Sequence, residues 1–242
     1  MLMFGKILIM RKLVFFLLTI LPFASFAQTE LISGIGTGLF FFGGNSAVRN
    51  SLLIVDYENG RSYINNPYGK IPGFSFNISE DIHHCSGKNF LFGMNLSYNY
   101  LRSATNLTQA DNRGQNVGIN QSNAFLKVYD ISLMPFVGKR FKTSNLDIDI
   151  SAGAEVAFPF YAEDKATVIT HAGYEIEVAR KRNMHVTDFR PTLKVNTYYN
   201  NVGIFASYSH GLSNYTAGMD GANMEVYSRL VRFGVNYRFR KS

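Results

Sequence analysis

The feature that most restricts this chain is an alternation held from residue 146 to 160. Leu146, Ile148, Ile150, Ala152, Ala154, Val156, Phe158 and Phe160 fall on one face of an extended chain, with Asp147, Asp149, Ser151, Gly153, Glu155 and Ala157 on the other. Successive side chains of a strand point to opposite faces, so this period of two gives one oily face and one wet face. Strands in soluble sheets average about five or six residues, whereas a tilted strand crossing a bilayer needs roughly nine to eleven. Seven further stretches share the rhythm, at 31–42, 71–82, 90–101, 124–141, 185–199, 202–212 and 226–239. Together they predict an all-β fold, an eight-stranded antiparallel up-and-down transmembrane β-barrel with short periplasmic turns and long extracellular loops.

The first 27 residues carry Lys6, Arg11 and Lys12, an apolar run from Leu13 to Leu21, and small residues at Ser25 and Ala27. That is the three-part pattern of a secretory signal peptide cut after Ala27, and the run is too short to span a bilayer as a helix. The expected domains are a signal peptide at 1–27 and a barrel at 28–242, with Met10 as an alternative start. Removing the leader takes three positive charges from the formal +7 and leaves +4. So mild a balance implies no nucleic-acid partner. Cys85 is the single cysteine, so no disulfide stabilises the exported domain. Tryptophan is absent, yet 21 Phe and 14 Tyr suffice for aromatic girdles at both interfaces.

The lumen side of the pattern is rich in charge. If the 146–160 and 185–199 strands pair antiparallel, Glu155 lies opposite Arg190, with Asp149 and Lys194 near-diagonal. Asp147, Asp149, Glu155, Asp188, Arg190 and Lys194 are therefore expected to form a lumen charge network, a salt-bridge plug in a barrel too narrow for bulk water. Four long loops are expected at 43–70, 102–123, 162–184 and 213–225. Two contain short hairpins, 52–57 with 61–64 and 167–170 with 174–178, read as projections into the medium because their charged residues are poor lipid neighbours. Tyr57, Tyr63, Tyr68, Tyr174 and Tyr215 lie in these loops among small polar residues, the composition of adaptable binding surfaces, and are expected to form a loop binding surface.

His83, His84 and Cys85 fall together in a short turn, but adjacent side chains rarely converge on one metal centre, so no metal or cofactor is expected. His210 and Ser213 fall on opposite faces of a strand with no acid nearby in sequence, the wrong arrangement for a catalytic pair. No catalytic residue is assigned.

The signal ending in Ala27-Gln28, the glycine-rich first strand, the Tyr208-Ser209-His210-Gly211-Leu212-Ser213-Asn214 segment and the aromatic-alternating last strand resemble the PorT-like outer-membrane β-barrel family of Bacteroidota. The last strand ends on the aromatic Phe239, followed by Arg240, Lys241 and Ser242. The resemblance implies location and architecture more than activity. The resulting expectation is a non-enzymatic protein of the cell outer membrane, structural or surface-binding through its loops. Its expected partners are outer-membrane lipid, the barrel-assembly machinery and an envelope protein. An accessory role in envelope transport or secretion is the alternative, and a lipid-modifying enzyme a second.

Overall fold

The computed structural model describes residues 28–55, 62–112, 114–184, 186–217 and 223–240. The expected leader, Tyr57 and His185 lie outside the described residues. Every regular element among the described residues is a strand: β1 (Gln28–Gly43), β2 (Asn50–Val55), β3 (Tyr63–Ile64), β4 (Ile71–Cys85), β5 (Phe90–Asn112), β6 (Gln115–Lys142), β7 (Asp147–Thr170), β8 (Glu175–Lys181), β9 (Asp188–Tyr199), β10 (Val202–His210) and β11 (Tyr227–Arg240).

Eight of these form a ring in the order β1-β4-β5-β6-β7-β9-β10-β11, every ring neighbour antiparallel. It closes where β1 pairs with β11 in an unbroken register from Glu30↔Arg240 to Gly43↔Tyr227. Closure leaves no sheet edge in the ring, so each backbone N–H and C=O in the wall finds its partner within the sheet.

Alternation assigns the faces. Leu31, Ile35 and Leu39 of β1, Phe74 and Ile78 of β4, Phe92 and Leu96 of β5, Ile131 and Val137 of β6, Ile150 and Phe158 of β7, Phe189 and Leu193 of β9, Ile204 of β10, and Phe233 and Val235 of β11 all point out and are exposed, Val137 by 66%. Water does not cover an apolar band that runs round the whole ring. Hydrocarbon does, and this is a transmembrane barrel.

At one end the ring strands are joined by compact turns. Asn89 and Asn200 adopt φ of 61° and 56° there, a conformation asparagine tolerates better than most residues. The Asn200 turn spans just two residues between the paired Tyr199 and Val202. The other end departs from the expected loops. Residues 102–123 are not a loop, because β5 and β6 stay paired out to Asn112↔Gln115. The 162–184 segment likewise continues β7 to Thr170, after which β8 folds back along it from Ile169↔Glu175 to Glu163↔Lys181. From the 43–70 segment, β2 pairs with β3 and runs parallel along the raised part of β5. β2, β3 and β8 stay outside the ring, as projections.

The raised wall encloses its own core of Leu53, Val55, Ile64, Leu107, Ala124, Ala166, Val168, Ile176 and Val178. Apolar burial explains why these segments are sheet, since a solvated loop would expose the same residues. A β-bulge makes the change of face possible. Tyr129 pairs with Tyr161 and Asp130 with Pro159, so Phe160 is the extra residue on β7. Below it the odd-numbered residues of β7, such as Glu155 and Ala157, are buried; above it the even-numbered Ala162, Asp164, Ala166 and Val168 are.

Candidate functional site

The interior holds the densest chemistry in the molecule, and its floor lies at the short-turn end. Arg140, near the end of β6, reaches Glu30 on β1 through Nη1 at 2.9 Å and Nη2 at 2.7 Å. The same guanidinium donates to Asp149 from Nε at 2.7 Å and from Nη2 at 2.8 Å. His83 Nε2 lies 2.9 Å from Glu30, and Arg238 donates to Asp147 at 2.7 Å while its guanidinium sits 4.3 Å above the Tyr198 ring. One level up, the Lys194 ammonium contacts Asp81 at 2.6 Å, and Asn95 donates to the other Asp81 oxygen.

The upper layer is centred on Arg190, which is completely buried. Its guanidinium donates to Asp188 at 2.7 Å, Glu155 at 3.2 Å and Asp130 at 3.1 Å. Arg232 reaches Glu155 from the opposite side at 2.5 Å, and Ser209 donates to the same carboxylate at 3.0 Å. Asp188 also accepts from the Tyr215 phenol at 2.8 Å and from Ser228 at 2.6 Å. Charges this deep persist only when paired and hydrogen-bonded on several sides, a condition that Arg190 and Glu155 both meet.

The gap among Asn77, Asn95, Lys194, Phe205 and Arg232 amounts to about 10 Å³, roughly the room one water needs. Phe205 fills the middle of the lumen because Gly36 and Gly234, paired across β1 and β11, leave it room. A Cβ on Gly36 would stand 2.7 Å from the Phe205 ring, and one on Gly234 would stand 2.8 Å from it. Above the ionic layers, Phe40, Phe42, Leu101, Leu126, Val128 and Leu230 form an apolar plug, with Tyr215 among them and Tyr68 packed against it. The lumen is thus closed twice, first by ion pairs and then by hydrocarbon.

Asp149, Glu155, Asp188, Arg190 and Lys194 are buried inside the ring, Asp147 is half-buried at its short-turn end, and Glu155 faces Arg190 directly in the β7–β9 ladder. Their partners differ from those expected. Asp149 and Lys194 are not joined to each other: Asp149 pairs with Arg140, its direct neighbour in the β6–β7 ladder, and Lys194 reaches across the lumen to Asp81. Sequence reasoning missed Glu30, Asp81, His83, Asp130, Arg140, Arg232 and Arg238. Each sits at an inward position of its strand, so carrying the alternation through all eight strands was the signal that could have found them.

The expected turn at His83, His84 and Cys85 is also corrected, because β4 runs through Cys85. His83 points into the lumen and His84 outward, with its ring centroid 4.6 Å from that of Phe92. Among the described residues no group of three or more potential ligands is placed to hold a metal.

The loop tyrosines do not form one surface. Tyr215 is buried and Tyr68 half-buried, their rings packed with Phe42 in the apolar plug. Burial pushes both phenols above the ordinary tyrosine range. Tyr63 lies under the Arg180 guanidinium at 4.9 Å, and only Tyr174 of the described four is open to solvent, at 71%. Aromatic residues in these loops were drawn inward because a barrel mouth offers them apolar cover. His210 hydrogen-bonds with Tyr208 at 3.1 Å, and the Ser213 hydroxyl accepts from the Phe189 N–H at 3.0 Å.

No family model matches the chain, and no curated protein matches it either. Among solved structures, it is similar to Ail, the attachment invasion locus protein of Yersinia pestis, at 14% identity and a TM-score of 0.38, over 88% of this chain and 99% of that one. Neisserial surface protein A matches at 14% identity and 0.35, over 88% and 97%. The translocator domain of the autotransporter NalP from Neisseria meningitidis matches at 11% and 0.29, over 88% of each chain. Likeness at this level carries nothing about role, and the fold assignment rests on the strand pairing described above.

Proposed function

We propose that this protein is a non-enzymatic barrel of the bacterial outer membrane, of the PorT-like kind found in Bacteroidota, acting as a structural or surface-binding element through its long-loop end. The single observation that carries the reading is the sealed interior: Arg190 buried among Asp130, Glu155 and Asp188 beneath a layer of Phe and Leu. A wall that admits no solute cannot work as a diffusion pore. What it offers its surroundings is the raised sheet of β5, β6, β7 and β8 with β2 and β3 against it, a rigid platform of the kind on which binding residues are commonly mounted.

The orientation follows outer-membrane barrels generally, with short turns facing the periplasm and the raised sheet facing outward. Export through the 1–27 leader and insertion by the barrel-assembly machinery complete the proposal.

The test combines fractionation with electrical recording. The processed chain is expected in the outer-membrane fraction with heat-modifiable migration on a gel, and purified protein in a planar bilayer is expected to give no steady open conductance. A stable, pore-sized conductance would overturn the reading.

A further inference from the structure

Where the lipid-side wall leaves the apolar band, four charged residues stand at one level. The ladders pair Arg102 with Lys127, Lys127 with Glu163 and Glu163 with Lys181, setting them side by side on β5, β6, β7 and β8. All four belong to the outward face, since their neighbours Leu101, Ser103, Leu126, Val128, Ala162 and Asp164 are buried inward.

The level beneath is built of Tyr100, Tyr129 and Tyr161, paired in the same manner, with ring centroids 5.2 and 5.6 Å apart. Beneath that come Tyr98, Ile131 and Phe158, all exposed. Up the wall the order is hydrocarbon, phenol, cation. A leaflet presents the complementary order, from acyl chain through interface to headgroup phosphate.

The charge at this level is unbalanced. Glu163 is shared by Lys127 at 2.9 Å and Lys165 at 3.7 Å. Arg102 lies 3.6 Å from the Phe125 ring centroid and Lys181 5.9 Å from that of Tyr161, and among the described residues neither forms an ion pair. On β11, across the ring, Arg229 is bonded to the carbonyls of Gly211 and Ser228. Its guanidinium is thus committed to the backbone, whereas the raised-sheet side sets Arg102, Lys127 and Lys181 at one level against the single carboxylate of Glu163.

We propose that this row binds the phosphate of an anionic lipid in the leaflet at the long-loop end. Arg102, Lys127 and Lys181 face the phosphate, Glu163 steadies Lys127, and the acyl chains lie on the Tyr98, Ile131 and Phe158 level. The inference rests on the transmembrane reading of the outward face.

The test uses the processed full chain in neutral detergent, titrated with lipid A, with the same lipid A after dephosphorylation, and with inorganic phosphate, and read by native mass spectrometry. Phosphorylated lipid A is expected to bind at least about tenfold more tightly than the dephosphorylated form. The triple variant Arg102→Gln, Lys127→Gln, Lys181→Gln is expected to lose that preference while keeping heat-modifiable migration, and Lys127→Arg with Lys181→Arg to retain it. Equal binding of both lipids by the wild type, or an unchanged preference in the triple variant, would overturn the proposal. So would displacement of the lipid by millimolar inorganic phosphate, which would make the row a free-anion site. A chain that stays monodisperse with no detergent at all would instead overturn the membrane reading itself.

Discussion

Arg140 and Glu30 stand on strands three places apart in the ring and are joined by two hydrogen bonds, at 2.9 and 2.7 Å. Their side chains are 2% and 3% exposed, so the pair ties β1 to β6 through the interior rather than along the wall. Arg140 also carries Asp149. Removing it leaves buried Asp149 without its cation and Glu30 with only His83 and the more distant Arg238, a loss of about 3–5 kcal/mol for a broken buried pair. Arg140→Leu is therefore expected to lower the denaturant midpoint of purified protein sharply. The double variant Arg140→Leu, Glu30→Gln is expected to recover part of the loss, and an Arg140→Leu midpoint equal to wild type would remove the floor of the plug from the account.

Gly36 tests the packing of the middle layer. Valine there would drive a side chain into both the Phe205 ring and the Asn77 amide oxygen, each within 2.7 Å of the position a Cβ would take. Overpacking of this kind costs typically about 1–3 kcal/mol. Gly36→Val is expected to reduce the yield of heat-modifiable barrel, and Phe205→Ala in the same chain to restore some of it. Absence of any rescue would mean that the Asn77 contact dominates.

Tyr215 makes a prediction in pH. Burial holds its phenol well above the ordinary tyrosine value, so the folded chain keeps a proton that the unfolded chain releases near pH 10. Stability from this source is complete below that value and falls as pH rises past it. Tyr68 shifts in the same direction for the same first cause, burial. Tyr215→Phe is expected to flatten the alkaline limb of an unfolding curve, with Tyr68→Phe adding to the effect. At neutral pH the lost bond to Asp188 is expected to cost about 1–3 kcal/mol. Alkaline unfolding unchanged in both variants would contradict the assignment.

The bulge at Phe160 predicts contrasting deletions. Without that residue the parity of β7 above it reverses, turning Ala162, Ala166 and Val168 toward solvent and Glu163 and Lys165 into the apolar core. Deleting Phe160 is expected to abolish the folded, heat-modifiable form. Deleting Ala110 together with Val117, which face each other near the tip of the raised hairpin, keeps both parities and is expected to leave the barrel intact. Equal outcomes for the two deletions would show that the bulge does not set the face.

The ring was legible in the sequence because membrane strands leave a strong signal, long runs of alternation such as 146–160 and 90–101, and the pairing of Glu155 with Arg190 followed from one hairpin register. Two things were not legible, for different reasons. In 162–170 the inward face reads Ala162, Asp164, Ala166, Val168 and Thr170 and the outward face Glu163, Lys165, Thr167 and Ile169, a mixed pattern that resembles a polar loop until a partner such as β2 is there to cover it. Arg140 sits directly opposite Asp149 in the β6–β7 hairpin, so that pair was open to a register argument, but the cross-lumen partner of Lys194 depends on ring closure, which brings it to Asp81, more than a hundred residues away. No local pattern encodes that meeting.

The continuous β1–β11 seam has a consequence for assembly. Arg232 and Arg238 arrive on β11, the last of the ring strands in chain order, and the carboxylates they reach lie on β7 and β1. Until β1 and β11 zip together, Glu155 has only Arg190 as a cationic neighbour. A seam docked two residues out of step would displace both arginines by one inward position at once. The electrostatics of the interior therefore discriminate against a mis-zippered ring, which makes the polar filling a proofreading device for closure as well as a plug.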